Sequence, residues 1–256
     1  MFGILRLYGR LAGKALRLAL RAWPVALSVF VYTVVAEVAS AMLGRFGLVG
    51  GFAAGFLIAA LVSSYLHLLS VAVSGRPLRF DDLKQSFGAR FWDVVSVMFA
   101  LWLIDIAVSM LTGGMGRQGP IVRVMVGLAM AVFLNPVPEL LYLGSSRSFA
   151  LLADAGRFIS KHGPEWLIPN LIFGVLVLLP TGLLNAPELG AKLIRLQSLF
   201  SLDGIAQLVI GIPTILKPVL LLFLHWAMIF RGLLFEALAS GSSAARQQQV
   251  RDVWGR

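Results

Sequence analysis

Six long apolar stretches constrain what this sequence can fold into. They cover residues 24–44, 47–74, 93–115, 121–143, 166–186 and 205–239. Each is at least about as long as the roughly 20 residues that a helix needs to cross a hydrocarbon core about 30 Å thick. Helices suit that core because their backbone hydrogen bonds are internal. The pattern predicts an all-α, polytopic integral membrane protein with about six transmembrane helices, forming a single membrane domain over residues 1–256.

The composition excludes most classes of soluble protein. The chain is 59% hydrophobic and 13% charged, whereas about a quarter of the residues in a soluble domain are charged. A soluble fold of this composition would leave large apolar areas facing water. The net charge is +10, but the basic residues lie between apolar stretches and do not form the clustered footprint of a nucleic-acid binder. We expect no nucleic-acid partner.

The positions of the basic residues predict the orientation in the membrane. Most of the 22 fall before the first stretch, in the linkers 75–92 and 144–165, or at the C-terminal end, where Arg231 is counted. The exceptions are Arg45, Arg117, Arg123, Lys192, Arg195 and Lys217. Cytoplasmic segments carry the excess of Lys and Arg, so both termini are predicted to be cytoplasmic. The absence of Cys and of Asn-x-Ser/Thr sites fits a bacterial-type plasma (inner) membrane.

Residues 1–22 have the pattern of an amphipathic surface helix. Its basic residues fall within an arc of roughly 80° at 100° per residue; they are Arg6, Arg10, Lys14, Arg17 and Arg21. The opposite side carries Leu5, Tyr8, Leu11, Leu16 and Leu18. Such a helix lies in the headgroup plane, where each cation near anionic lipid contributes on the order of 1 kcal/mol. We therefore expect anionic lipid of the cytoplasmic leaflet as a partner.

The linkers and the C-terminal end predict further features of the surface. One surface helix should begin near Asp81, and another should run from Ser146 to the stop at Gly163-Pro164. Residues 24–239 would then form the six-span bundle, and 240–256 a polar cytoplasmic tail that is frayed or disordered. Three tryptophans stand where spans leave the cytoplasmic side, as in an aromatic belt: Trp23, Trp92 and Trp166.

Three ionisable residues lie within predicted spans, where charge is expensive. Glu37 and Asp105 fall at similar depth, some 18–21 Å from the inner face by the helical rise, and could approach one another. His225 lies near the middle of the last stretch. Such residues form either a proton or cation site inside the bundle, or hydrogen bonds between helices. Both interpretations remain open at this point.

The sequence Asn135-Pro136-Val137-Pro138-Glu139 interrupts the fourth stretch near its cytoplasmic end. The two prolines remove two backbone donors and free carbonyl groups one turn earlier. Non-helical backbone at this depth needs protein or water to satisfy it. The segment could line a binding site, as broken helices do in transporters, or simply end a helix with Glu139 meeting Arg147 or headgroup water. Asn135 and Glu139 are therefore candidate intramembrane polar residues.

No combination of residues predicts catalysis. There is no Gly-rich phosphate loop, nucleophile elbow or HExxH helix, and His162 with Glu165 falls short of a metal ligand set. Without Cys, disulfides and thiolate chemistry are excluded. We expect no enzyme activity, no catalytic residue, no metal and no cofactor.

The arrangement of paired spans with amphipathic inner linkers resembles bacterial six-span membrane families of unknown function. It is similar to the membrane domain of glycerophosphodiester phosphodiesterases, without their catalytic domain. The similar parts are Gly75-Arg76-Pro77 leading to Phe91-Trp92, and Asn135–Glu139 followed by an amphipathic helix. The resemblance is one of architecture and implies no phosphodiesterase activity.

These features predict a non-enzymatic membrane protein that acts as a scaffold, assembly factor or regulatory subunit. It would contact anionic lipid and a partner protein, or further copies of itself, at the cytoplasmic face. The alternative is a transporter or channel component that uses Glu37, Asp105, Asn135 and Glu139 as a polar intramembrane site.

Overall fold

The structure, a computed structural model, describes residues 2–144, 146, 148–178 and 217–254. These residues are almost entirely helical. In chain order the helices are α1 (Phe2–Arg21), α2 (Trp23–Leu43), α3 (Gly47–Val73), α4 (Phe80–Ala89), α5 (Phe91–Gly113), α6 (Gly119–Phe133), α7 (Val137–Leu143), α8 (Ala150–Leu178) and α9 (Lys217–Trp254). Short 3₁₀ turns join α2 to α3 and α5 to α6. The all-α prediction is confirmed for this part of the chain.

Four helical segments in the described residues are long and apolar enough to cross a membrane. They are Trp23–Val73, Phe91–Gly113, Gly116–Leu143 and Pro218–Gly241. In each of the first three segments, only about a sixth to a quarter of the residues in the most apolar 18-residue part are buried within the protein. Most of the side chains there are therefore at least partly exposed. Apolar side chains facing outward along several helices are what a lipid environment requires. The chain therefore has the helices of a membrane protein, while six spans and their orientation remain predictions.

Helices α2 and α3 form the tight hairpin expected from their two-residue connection. The Tyr32 hydroxyl, halfway along α2, lies 2.7 Å from the Ser64 hydroxyl, about two thirds of the way along α3. At the turn, a Cβ on Gly50 would lie 1.8 Å from the Leu43 carbonyl oxygen. Only a residue without a side chain allows that approach, which makes Gly50 the glycine on which the hairpin depends.

The N-terminal helix packs on the bundle, and this corrects part of its predicted face. Ala15 is completely buried, and the Trp226 indole donates to the Ala12 carbonyl oxygen at 3.4 Å. Leu5 and Leu16, predicted to lie on the apolar side, are exposed. The other three residues of the predicted apolar side, Tyr8, Leu11 and Leu18, pack against the core.

The linker helices agree with prediction at one place and differ at another. Helix α4 forms where expected, and the Asp82 carboxylate accepts a hydrogen bond from the Arg79 backbone N–H at 2.8 Å. The third surface helix continues into the next apolar stretch as α8, with a kink at His162 (φ −127°, ψ 19°). Pro164 removes a backbone donor just after the kink. The predicted stop is therefore a bend between two helical halves.

The C-terminal end is more regular than predicted. Helix α9 begins with Pro218 in its first turn and continues through most of the predicted tail to Trp254, so residues 240–254 are helical. The predicted stretches 166–186 and 205–239 lie partly outside the described residues. Fourth-span residues 121–143 are divided between α6 and α7, as the two prolines in that span predict.

Candidate functional site

The break between α6 and α7 creates the candidate site. Helix α6 ends at Phe133, and residues 134–136 form a turn before α7 begins at Val137. Pro138 occupies the first turn of α7, where its missing donor is not needed. Glu139 follows in the same first turn, where the positive end of the helix dipole favours a carboxylate. The turn leaves the Asn135 carbonyl group without a helical partner and directs Glu139 inward.

Arg231 of α9 satisfies both groups. Its Nε donates to Glu139 Oε1 at 2.7 Å, and its Nη2 donates to Glu139 Oε2 at 2.8 Å. The same Nη2 donates to the Asn135 carbonyl oxygen at 2.7 Å. Glu139 is fully buried, and the Arg231 side chain is 16% exposed. This two-point pairing cancels the two buried charges and satisfies the backbone of the broken helix.

Trp166 of α8 closes the cluster from a third side. Its indole Nε1 donates to Asn135 Oδ1 at 2.8 Å, and the Arg231 guanidinium carbon lies 5.2 Å from the ring centroid. Trp166 is fully buried, so its predicted role as an interfacial residue is wrong. The indole has an apolar body for the core and one donor, and the Asn135 side chain accepts from that donor.

Close packing holds α9 against this cluster. A Cβ on Gly232 would lie 2.5 Å from the Tyr142 hydroxyl oxygen and 2.9 Å from Val73 Cγ2. The Tyr142 hydroxyl donates to the Met228 carbonyl oxygen at 3.3 Å. Gly232 therefore lets α9 approach α7 and α3 closely enough for Arg231 to reach Glu139. We call Asn135, Glu139, Trp166 and Arg231 the helix-break cluster.

The helix-break cluster has the chemistry of a structural tie. Its carboxylate is occupied at both oxygens by one guanidinium, and the Asn135 amide oxygen is occupied by the indole. A buried ion pair with well-placed hydrogen bonds holds three helical elements in one arrangement, whereas either charge alone would be strongly unfavourable there. The backbone carbonyl group of Asn135, which lacks a helical partner at the proline break, is therefore satisfied by a protein side chain.

The other predicted intramembrane residues do not join this cluster. Asp105 accepts a hydrogen bond from Arg123 of α6 at 3.1 Å, and more than half of its side chain is exposed. Glu37 is exposed and has no hydrogen bond or ion pair within the described part of the chain. The expected approach of Glu37 and Asp105 is therefore not observed; Asp105 pairs with its nearer neighbour across the α5–α6 hairpin.

His225 is buried on α9, six residues before Arg231. It is 2% exposed, and neither ring nitrogen has a hydrogen-bond partner among the residues that the structure describes. Six residues correspond to about 9 Å along a helix, so His225 lies away from the ion pair. Among the described residues, no group of three or more His, Asp or Glu side chains could hold a metal ion.

Arg231 and Trp166 are the functional residues that sequence reasoning missed. Arg231 was counted with the cytoplasmic basic residues, although it is the one charged residue between Pro218 and Phe235. A single cation within an apolar stretch is a signal for a buried anion elsewhere, since isolated charges in a membrane segment seek a partner. Glu139 was predicted to meet Arg147 or water; Arg147 lies outside the described residues.

A second candidate site is the exposed basic side of α1. We call its five residues the basic face: Arg6, Arg10, Lys14, Arg17 and Arg21, all exposed. The opposite side is fixed to the bundle, since the Tyr8 hydroxyl donates to the Glu165 carbonyl oxygen at 2.7 Å. Burial raises the pKa of that hydroxyl, and the Glu165 carboxylate raises it further, so Tyr8 keeps the proton that it donates.

The sequence matches no protein-family model, no curated protein and no solved structure. The resemblance to six-span membrane families therefore stays a prediction.

Proposed function

We propose that this chain is a non-enzymatic integral membrane protein that serves as a scaffold, assembly factor or regulatory subunit. It binds anionic lipid through the basic face of α1 and contacts a partner protein or further copies of itself at the same side of the membrane. In this proposal it crosses a bacterial-type inner membrane six times and has both termini in the cytoplasm. The uneven distribution of basic residues supports that orientation, even with Arg231 assigned to a buried ion pair.

One observation carries the proposal: α1 is fixed to the bundle by its small and aromatic residues while all five cations point outward. Ala15 is completely buried, and the Tyr8 ring packs edge-on against the Phe230 ring, with ring centroids 6.4 Å apart. A fixed helix presents its cations without further ordering of the chain, which favours binding to a negatively charged surface. In this proposal, anionic headgroups lie beside the first turn of α2, because α2 begins two residues after Arg21.

The experiment is a measurement of lipid selectivity in reconstituted bilayers. Spin-labelled phosphatidylglycerol and phosphatidylcholine of the same chain length are compared by electron paramagnetic resonance for the fraction held at the protein. We expect phosphatidylglycerol to be preferred at low salt, and the preference to decline as salt screens the cations. Equal association of the two lipids at low salt would contradict the proposal.

A transporter or channel component is the second candidate, favoured by the broken helix at residues 134–136. The contacts weigh against it, because Glu37, Asp105 and Glu139 have separate environments and Glu139 is neutralised by Arg231. Vesicles containing the protein are expected to show no proton or cation flux that depends on Glu37 or Asp105. A flux abolished by Glu37→Gln or Asp105→Asn would establish the transporter instead.

A further inference from the structure

A groove lies between the first half of α2, the end of α3, and the loop and helix that follow α3. Its volume is about 410 Å³, within the roughly 300–1,000 Å³ of small-molecule sites. Apolar side chains dominate its walls, including Leu27 and Val31 of α2 and Leu68 of α3. The residues that line it include a single charged one, Arg79.

The groove crosses the end of a candidate membrane span. The α2 and α3 walls belong to the apolar segment Trp23–Val73, whereas Leu78, Arg79 and Phe80 follow that segment. From Val25 to Tyr32 the α2 wall extends about 10 Å along the helix axis. In a bilayer crossed by that segment, the apolar part would lie at the depth of acyl chains and Arg79 at the depth of headgroups.

Hydrogen bonds between hydroxyl groups of three helices hold the walls in place. The Ser64 hydroxyl lies 2.7 Å from the Tyr32 hydroxyl and 2.6 Å from the Ser86 hydroxyl, which joins α2, α3 and α4. Tyr32 also packs edge-on against Phe87 of α4, with ring centroids 5.9 Å apart. The groove is thus preformed, which lowers the ordering cost of binding.

Arg79 is available for a ligand. It is exposed, and its guanidinium has no hydrogen-bond or ion-pair partner among the described residues; Asp82 accepts from the Arg79 backbone N–H and not from its side chain. A guanidinium matches the geometry of a phosphate and forms two parallel hydrogen bonds with it. An apolar groove that opens to the bilayer and ends at a free guanidinium has the charge and polarity of an anionic phospholipid.

We propose that this groove binds one anionic glycerophospholipid, with an acyl chain between α2 and α4 and the phosphate at Arg79. The site is separate from the basic face of α1 and does not depend on it. The basic face would attract many headgroups by charge, whereas the groove would hold one lipid by shape and charge together.

The test is native mass spectrometry of the full-length protein in detergent, titrated with phosphatidylglycerol and with phosphatidylcholine of the same chains. All variants are made in the background Arg10→Gln/Arg17→Gln, which weakens the basic face. Because the basic face is weakened in that background, tight binding of phosphatidylglycerol there is attributed to the groove. If the double variant still binds phosphatidylglycerol tightly but selects it less strongly in bilayers, both sites are supported. If the tight binding of phosphatidylglycerol is lost, the proposed groove site is overturned and the basic face is not.

Two pairs of matched variants locate the lipid. Val31→Trp fills the groove and is expected to lower the affinity for both lipids at the tightest site. Its control, Val38→Trp, changes an equally exposed valine of α2 outside the groove (48% and 54% exposed) and should leave both affinities within about twofold. Equal binding by the two variants would overturn the proposal. If Val31→Trp does not fold, Leu27→Trp replaces it.

The second pair tests the headgroup. Arg79→Gln is expected to weaken phosphatidylglycerol about tenfold, the effect of losing one charge-assisted contact. Phosphatidylcholine, which has the same phosphate, should be weakened less, because its choline cation offsets part of the attraction to a guanidinium. Arg76→Gln, on the neighbouring exposed arginine that does not line the groove, should change neither. If the two substitutions have equal effects, the groove does not bind the phosphate at Arg79, and the proposal of an anionic lipid is wrong.

Discussion

Arg231 and Glu139 are 92 positions apart in the chain and form a two-point ion pair, with donor–acceptor distances of 2.7 and 2.8 Å. The pair joins the last described helix to the helix that follows the proline break. Because the same guanidinium also binds the Asn135 carbonyl oxygen, one side chain satisfies both the carboxylate and the interrupted backbone. The stability of the bundle should therefore depend on Arg231 and Glu139 as a unit.

Glu139→Gln is expected to lower the free energy of unfolding by about 3–5 kcal/mol, because it leaves the Arg231 charge buried without its partner. SDS titration of the protein in mixed micelles measures this loss. Glu37→Gln makes the same chemical change at an exposed glutamate and should stay within about 0.5 kcal/mol of the native protein. Equal losses for the two variants would show that the pair contributes no special stability.

Replacing both charges should be less harmful than replacing one. The double variant Glu139→Met/Arg231→Met removes the ion pair without leaving an isolated charge, and apolar replacements of buried ion pairs are often close to neutral. We expect its unfolding free energy to lie above that of Arg231→Met alone. A double variant that loses the sum of the two single losses would contradict the coupling.

Trp166→Phe is expected to lower the unfolding free energy by about 1–3 kcal/mol. The change keeps an aromatic ring near Arg231 but removes the donor to Asn135 Oδ1 and leaves that buried acceptor unsatisfied. Trp92→Phe is the control, since Trp92 is 71% exposed and should tolerate the change. The same SDS titration measures both, and similar small effects would show that the hydrogen bond from the indole to Asn135 contributes little to stability.

Gly232→Ala should destabilise the bundle by about 1–3 kcal/mol, because the added methyl group would meet the Tyr142 hydroxyl and force α9 away from α7. Gly241→Ala, on the same helix with nothing within 4 Å of its Cβ position, should be neutral or stabilising since alanine favours helix. Thermal unfolding in detergent separates the two. A loss of equal size at both sites would point to helix flexibility and not to close packing.

The helices could be predicted because their signals are local. Apolar length predicts the spans, the recurrence of basic residues every three or four positions predicts α1, and Pro136 and Pro138 predict the break. The kink at His162 was foreseen only as a stop, since Gly163-Pro164 does not say whether the chain continues in a similar direction. Local patterns also described the exposed basic face correctly.

The cluster itself could not be predicted, because its contacts join residues far apart in the chain. Asn135 and Glu139 were recognised as unusual, but no local pattern says that α9 lies beside α7 or that Trp166 turns inward. Glu37 and Asp105 matched in depth, yet matching depth does not make two helices neighbours. Which helices adjoin is decided by close contacts such as Gly232 against Tyr142, and these depend on the whole bundle.

The basic face of α1 provides the most direct test of the proposed function. Lipid selectivity is compared between Arg10→Gln/Arg17→Gln and Arg45→Gln/Arg117→Gln, which removes two exposed cations from the turns of the two hairpins. Each cation near anionic lipid contributes on the order of 1 kcal/mol, so the α1 variant, which lacks two of the five cations of the basic face, should show a reduced preference for phosphatidylglycerol while the turn variant keeps it. Equal preference in the two variants would contradict the proposal that α1 is the lipid-binding surface.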